Sequence, residues 1–185
     1  PAHMHNTMLF FTKKGRCYWL KVYDIPEGAR STKGRAIQNV LNLDADDSVS
    51  VCLNIRKLGD PEFCNSHNVV FCTRKGIVKK TCLSEYSRPR TNGVIAISIR
   101  EDDEVVDVVL TNGRNELILA NRNGRAIRFN ESQIRTMGRT ATGVRGITLD
   151  EEDDEVVGMV CVYNLEKDTV LVVSEKGYGK RSAVE

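Results

Sequence analysis

The chain has 185 residues and a formal net charge of +2, a length that suffices for one domain with an adequate core. No apolar segment approaches the roughly 20 residues that span a bilayer, and no signal-peptide pattern is present, so a membrane or exported protein is not predicted. Asp and Glu gather at 44–47, 101–104 and 150–155, whereas Lys and Arg gather near glycines. Such segregation allows a nearly neutral chain to present a basic stripe to a polyanion.

The six cysteines are scattered through apolar runs, without a C-x-x-C pair or accompanying histidine ligands. This spacing does not favour a zinc site, so we expect reduced thiols buried in strands. Residues 1–5 resemble a remnant of tag removal, and we expect them to form a disordered start outside the domain.

An internal repeat is the dominant feature of the sequence. Four apolar runs each lead into a tight turn closed by a glycine, and these turn glycines are Gly15, Gly76, Gly124 and Gly177. Their separations of 61, 48 and 53 residues are close to the period of a four-stranded propeller blade. Each turn predicts a β-hairpin, because glycine supplies the positive φ of a primed two-residue turn. The outgoing strands are predicted at 17–23, 77–83, 126–129 and 178–181.

A second set of glycines, Gly34, Gly93 and Gly143, follows basic clusters. Alternating segments come next, and those at 94–99 and 144–149 predict half-buried strands. Acidic turns follow, which suit solvated connections, and then the last apolar strand of each unit. We therefore predict an all-β fold of four-stranded antiparallel blades. The units are predicted at about 8–67, 68–115 and 116–167, with a partial unit at 168–185.

Few segments fall outside this pattern. Residues 56–67 make the first unit longer and are predicted to form an extended hairpin loop, because they contain Gly, Pro, Asn and Ser. Short helical turns are compatible with 83–86 and 130–133.

Basic residues recur in each unit, on the outgoing strand and around the second glycine. Equivalent positions in a stack of similar units share one rim, so these residues predict a cationic track complementary to the phosphate backbone of duplex DNA. The alternative is that they only solubilise exposed strands and loops, but their recurrence away from the acids favours a polyanion surface. The candidate DNA-binding residues are Lys21, Arg30, Lys33, Arg35, Lys79, Lys80, Arg88, Arg90, Arg128, Arg139, Arg145, Lys180 and Arg181.

The sequence gives little support to catalysis or metal binding. The acidic turns lack the glycine and ligand spacing of a calcium loop. There is no nucleophile elbow and no phosphate-binding loop ending in Gly-Lys-Ser/Thr. The low aromatic content favours duplex over single-stranded nucleic acid. No catalytic or metal-ligating residue is therefore predicted.

Several motifs resemble, in the same order, the C-terminal domain of the bacterial DNA gyrase A protein. They are K-V-Y-D-I-P-E-G-A-R at 21–30, the run at 76–90 that begins with G-I-V-K-K-T, M-G-R-T-A-T-G-V-R-G at 137–146 and G-Y-G-K-R at 177–181. The resemblance covers essentially residue 6 onward. It implies a β-pinwheel, in which propeller-like blades exchange a strand, and a domain that wraps duplex DNA around its basic perimeter to support ATP-dependent negative supercoiling.

The same resemblance implies the partners and the limits of the chain. The family's basic box of the form Q-R-R-G-G-K-G has no match, so we expect a fragment of about three and a half blades out of about six. It implies no cofactor for this fragment, since ATP and Mg²⁺ are used elsewhere in the holoenzyme. The implied partners are duplex DNA, the N-terminal portion of the gyrase A protein and the gyrase B protein, in the bacterial cytoplasm near the nucleoid, with no membrane.

Other interpretations stay open at this point. The corresponding domain of the topoisomerase IV A protein shares the blade pattern, and a protein-interaction propeller with an incidental basic rim is an alternative of another class. Because an incomplete pinwheel leaves strand edges unpaired, a dimer formed through those edges is a further hypothesis.

Overall fold

Strands dominate the computed structural model, which describes residues 2–184. The strands are β1 Thr7–Thr12, β2 Arg16–Lys21, β3 Val49–Ile55, β4 Asn68–Thr73, β5 Ile77–Cys82, β6 Val94–Ile95, β7 Val105–Thr111, β8 Glu116–Asn121, β9 Ala126–Asn130, β10 Val144–Arg145, β11 Val156–Val162, β12 Thr169–Val173 and β13 Gly179–Ala183. One short helix, α1, spans Pro61–Ser66, and 3-10 turns span Val22–Asp24, Ile37–Asn39, Leu83–Tyr86 and Glu131–Gln133. The all-β fold class is confirmed. Position 1 of the expected disordered start and position 185 of the expected partial unit lie outside the described residues.

Each blade is a small antiparallel sheet built around one hairpin. The strand orders are β3-β1-β2-β6 in blade 1, β10-β5-β4-β7 in blade 2, β11-β8-β9 in blade 3 and β12-β13 in blade 4. The turn glycines have φ between +82° and +84°. Each is the last residue of a three-residue loop whose other residues have negative φ, so the expected primed two-residue turn is wrong, although glycine does supply the positive φ at the corner. Strand β7 contacts both β3 and β11 on the inner side of the blades, and β6 and β10 lie at the opposite, outer edges of their sheets.

Neighbouring blades exchange their outer strands, as the resemblance implied. Strand β6 follows the hairpin of the second unit, yet it pairs with β2, placing Val94 opposite Cys17. Strand β10 likewise follows the third hairpin and pairs with β5, placing Val144 opposite Val78. The strands predicted at 94–99 and 144–149 are therefore shorter than expected, because only two residues of each pair with the preceding blade.

The hydrophobic core lies in two layers between successive blades. In the first layer, Phe11 of β1 meets Phe71 of β4 edge to face, with ring centres 5.2 Å apart, and Tyr86 packs beside both rings. In the second layer, Val70 and Cys72 of β4 belong to a cluster with side chains of β8 and β11. Blade 2 contributes to both layers, which explains why β4 is buried on both faces and reads as a continuous apolar run.

The acidic turns are structural rather than simply solvated, which corrects the expectation from sequence. Asp103 Oδ1 accepts hydrogen bonds from the backbone N–H groups of Lys75 at 3.0 Å and Glu104 at 2.9 Å. Equivalent pairs of bonds are accepted by Asp47 Oδ1 from Lys14 and Ser48, and by Asp154 Oδ1 from Asn123 and Glu155. The last aspartate of each acidic turn, Asp47, Asp103 or Asp154, therefore stabilises the hairpin corner of its own unit.

The predicted loop at 56–67 contains the helix α1. The Asp60 side chain caps it by accepting from the N–H groups of Glu62 at 3.0 Å and Phe63 at 3.4 Å, while Pro61 occupies the first turn. The helical turns expected at 83–86 and 130–133 are present as 3-10 turns.

The six cysteines are free thiols. Cys17 and Cys72 are buried in strands as expected, and burial raises the pKa of both thiols. Two others differ from the expectation, since Cys64 is buried in α1 and Cys52 is exposed on β3.

Candidate nucleic-acid interface

The candidate DNA-binding residues fall into two groups with different surroundings. The first group flanks the second glycines and is exposed, except for the half-buried Arg139. We call these residues the glycine-loop cations: Arg30, Lys33, Arg35, Arg88, Arg90, Arg139 and Arg145. The second group lies on the outgoing strands: Lys21, Lys79, Lys80, Arg128, Lys180 and Arg181.

Lys79 is not on the surface, so its prediction as a DNA contact is wrong. Its side chain is 0% exposed. The Nζ donates to the carbonyl oxygen of Arg139 at 2.6 Å and to that of Ala96, and it lies 3.5 Å from the Tyr86 hydroxyl. It also lies 4.9 Å from the centre of the Phe71 ring. Burial, with a smaller effect of the Arg139 guanidinium, lowers the pKa of Lys79 to about 7.

The prediction for Lys80 is wrong for a related reason. Its side chain is 7% exposed, and Nζ donates to the Glu131 carbonyl oxygen at 2.8 Å. The Lys80 carbonyl in turn accepts from the N–H of Met137 at 2.8 Å. Strand β5 is thus covered by a segment of the following unit that begins about 50 residues later in the chain, and the repeat pattern alone does not reveal that cover.

The other strand cations differ in their surroundings. Lys21 is half-buried, and its Nζ donates to Thr7 Oγ1 at 2.8 Å. Arg128 Nη1 donates to the carbonyl oxygen of Val184. Lys180 and Arg181 are exposed on β13, at the positions equivalent to Lys79 and Lys80. The DNA-binding role of these residues stays a prediction.

The basic loops before β6 and β10 are anchored through their backbones to the outer edges of the blades. Arg16 Nη2 donates to the Asn92 carbonyl at 2.6 Å in the loop before β6. In the loop before β10, Ser98 Oγ donates to the Thr140 carbonyl at 2.6 Å and the Ser98 N–H donates to the Ala141 carbonyl at 3.1 Å. Both loops therefore present their cations from defined backbone positions.

The corresponding loop of the first unit has few contacts. Residues 28–36 are all exposed, and a Cβ added at Gly28 or Gly34 would meet no atom within 4 Å. One backbone bond, from the Thr32 N–H to the Ala29 carbonyl at 2.9 Å, forms a turn inside it. Arg30 and Lys33 therefore lie on a loop with few contacts, whereas Arg35 lines a cavity together with Phe10 and Leu20 of blade 1.

The glycine-loop cations are electrostatically unpaired. Among residues 2–184, none of them lies within 4.0 Å of a carboxylate oxygen. The ion pairs lie elsewhere, for example between Lys14 and Asp46 beside one hairpin corner and between Arg125 and Asp150 beside another. Apart from Arg139, whose Nε is buried, these unpaired cations are exposed and free to bind an anionic partner.

Sequence reasoning missed two arginines of this region. Arg135 is exposed on the segment that leads to Gly143, and its position in that basic segment was the available signal. Arg16 anchors the loop before β6, and its guanidinium lies 5.8 Å from the centre of the Tyr18 ring. Its anchoring role depends on a contact 76 residues away along the chain and carries no local signal.

Two other kinds of site were sought in residues 2–184. No helix there is long and apolar enough to cross a membrane. The same residues contain no group of three or more His, Cys, Asp and Glu side chains placed to hold a metal ion.

Fold and surface together define a propeller-like β-pinwheel with exchanged outer strands and unpaired cations beside them. The structure superposes on the C-terminal domain of DNA topoisomerase IV with a TM-score of 0.82 at 31% identity, covering 96% of this chain and 53% of that one. It superposes on the DNA gyrase A C-terminal domain with a TM-score of 0.79 at 24% identity, covering 97% of this chain and 55% of that one.

The sequence comparisons identify the family. Residues 6–54, 67–112, 115–162 and 168–185 match the family model described as DNA gyrase C-terminal domain, beta-propeller. The chain is 43% identical to the DNA gyrase A protein of Salmonella typhimurium over 184 residues, which is 100% of this chain and 20% of the relative. The chain thus spans about a fifth of that relative's length, and it belongs to the DNA gyrase A C-terminal domain family.

Proposed function

We propose that this chain binds duplex DNA without sequence preference and bends it around the outer edges of its blades, as part of a DNA gyrase A protein. The observation that carries the proposal is the set of unpaired glycine-loop cations, of which Arg88 and Arg90 precede the outer strand β6 and Arg145 lies in the outer strand β10. The loops before β6 and β10 are anchored through their backbones without a ligand, so their cations need little ordering when a phosphate binds.

The chemistry of these groups suits phosphates rather than bases. Arginine guanidinium groups bind phosphate oxygens in bidentate fashion and neutralise the charge without reading sequence. Bending 20–30 base pairs by 40–90° costs on the order of 1–6 kcal/mol, and distributed phosphate contacts must offset that cost. A row of cations on successive blades provides such contacts along a curved path.

Membership of the gyrase A C-terminal domain family supports a role within a larger assembly. We propose that the bent DNA is presented to the rest of the gyrase A protein and to the gyrase B protein, which use ATP and Mg²⁺ for strand passage, so that negative supercoils are introduced in the bacterial cytoplasm. In this proposal the chain supplies DNA attachment and no catalytic residue or cofactor of its own.

A second candidate is the corresponding domain of a topoisomerase IV, favoured by the structural likeness described above. Gyrase requires DNA to wrap so that strand passage has a fixed hand. A supercoiling assay on the full-length protein, with and without residues 6–185, separates the two: loss of negative supercoiling without the region supports gyrase, whereas retained supercoiling contradicts it.

DNA binding by the chain itself is tested by a salt titration with a labelled duplex of about 40 base pairs. Six of the glycine-loop cations in contact with phosphates would give a slope of log K against log salt of about −5. Replacing both Arg88 and Arg90 by Gln should reduce the slope by about 2. The matched control is Arg125→Gln, which also removes an exposed arginine but one already paired with Asp150, and its slope should stay close to that of the original chain.

Two results would contradict the proposal. The first is no detectable binding to the duplex at low salt. The second is an equal loss of slope per charge in the Arg125 variant and in the Arg88 and Arg90 variant, which would mean that only net charge matters.

A further inference from the structure

The segment 131–143 runs from blade 3 to blade 2, with the exposed Arg135 on it and the exposed Arg145 just after it. Lys80 binds its beginning, at the Glu131 carbonyl, and Lys79 binds its far part, at the Arg139 carbonyl. The two donors are adjacent residues of β5. Two buried lysine side chains therefore hold this segment at two points, Glu131 and Arg139.

We propose that Lys79 and Lys80 are positioning residues for DNA binding, which they support by fixing the backbone of 131–143 without touching DNA. The inference rests on the proposed function. It replaces their predicted role as direct contacts with one that acts through the exposed Arg135 and Arg145 on and just after the segment.

The low dielectric of a buried site strengthens the hydrogen bonds that a lysine side chain donates there. Lys79 donates to two carbonyl oxygens from different segments. One belongs to Ala96, directly after β6, and the other to Arg139, in the loop before β10. Removal of the Lys79 amine leaves the part-buried Arg139 carbonyl without that donor, while the Ala96 carbonyl still accepts from the Tyr86 hydroxyl at 2.8 Å. The segment would then sample other positions, and ordering it would oppose DNA binding.

A side-chain donor equivalent to Lys80 occurs in three units, which indicates that this hydrogen bond between blades is part of the repeated architecture. The fourth residue after the turn glycine donates a side-chain N–H to a backbone carbonyl of the following unit in each case. These interblade donors are Trp19, whose Nε1 donates to Tyr86 at 2.8 Å, Lys80, which donates to Glu131, and Arg128, which donates to Val184. The residue type changes while the donated bond remains, so the recurrence follows the bond rather than the positive charge.

The test is a double-mutant cycle on the salt slope of duplex binding. Lys79→Met keeps the apolar stem but removes the ammonium, and the second element is the pair Arg135→Gln and Arg145→Gln. In the original background, Lys79→Met should reduce the slope by about 2, the contribution of two phosphate contacts. In the background that lacks both arginines, Lys79→Met should leave the slope unchanged, because the cations that it positions are absent.

Lys57→Met is the matched control, since it removes an exposed lysine from the loop after β3 and should leave the slope unchanged. If Lys79→Met does not fold, as judged by Trp19 fluorescence, Lys80→Met carries the same cycle, because its amine donates a single bond of this kind, to the Glu131 carbonyl.

Equal slope losses in the two backgrounds would overturn the positioning role, as would no loss in the original background. In both cases the unaltered chain still binds DNA, so the proposed function survives. Failure of the unaltered chain to bind duplex DNA would overturn the proposed function and this inference together.

Discussion

Lys79 gives the stability of this domain a pH dependence that one substitution can isolate. Burial lowers the pKa of its ammonium from 10.5 to about 7 in the folded chain. Between these two values the unfolded chain binds more protons at this site than the folded chain does. The free energy of unfolding should therefore rise with pH through this window, and the rise should be absent in Lys79→Met.

The size of the effect follows from the two pKa values. One unit of pKa difference corresponds to about 1.4 kcal/mol, and the slope approaches this value per pH unit once the folded site is deprotonated. Integration from about pH 7 to about pH 8.5 gives a rise of about 1.6 kcal/mol in the free energy of unfolding. Thiols begin to ionise near the top of this range in the unfolded chain, but that contribution is common to both proteins and cancels in their difference.

Urea unfolding at several pH values between about 7 and about 8.5, followed by fluorescence of the single tryptophan, provides the measurement. Trp19 is a suitable probe because its Nε1 bonds to the Tyr86 carbonyl, next to the Lys79 site. Parallel pH curves for the original chain and Lys79→Met would refute the reasoning. They would mean that the two carbonyl oxygens and the Phe71 ring keep Lys79 protonated throughout this range.

Two further predictions concern the repeated backbone features. Gly143→Ala should destabilise the fold by about 2 kcal/mol or more, because φ is +106° and a Cβ there would collide with the Val78 carbonyl oxygen. Gly28→Ala, with open space around it, should change the urea midpoint little, and equal effects of the two substitutions would contradict this account. Asp103→Ala should cost about 1 kcal/mol by analogy with loss of a capping side chain, since it removes the acceptor of both bonds at the Lys75 corner. An unchanged unfolding midpoint would show that water replaces the carboxylate there.

Features encoded locally were the predictable part of this fold. The hairpin corners depend on glycine at positive φ, and a turn glycine such as Gly76 indicates that requirement in the sequence. The helical turn at Leu83–Tyr86 could also be predicted from its own residues. The capped start of α1 at Asp60 and Pro61 was visible in the sequence, but six residues give too little periodicity to outweigh the loop signals around them.

The burial of Lys79 and Lys80 depends on long-range contacts and could not be predicted from their own strand. Their acceptors, Arg139 and Glu131, lie 60 and 51 residues further along the chain. Lysine is almost never fully buried unless it is paired, so a sequence with two adjacent lysines on a strand favours exposure. The carbonyl oxygens that accept from these lysines can be identified only once the exchange of outer strands is known.

A side chain that recurs at the same position in every repeat has a different physical origin from a set of cations that share one binding surface. Packing between similar blades demands the same donor at the same position, and Trp19, Lys80 and Arg128 meet that demand with three different side chains. A phosphate backbone demands only that positive charge lie along its path, so phosphate-binding cations can shift by several residues between units. The glycine-loop cations show this looser spacing, with Arg30 and Arg139 four residues before their glycines but Arg88 five residues before Gly93. In this fold, loosely spaced unpaired cations are therefore better candidates for DNA contacts than cations in strict register.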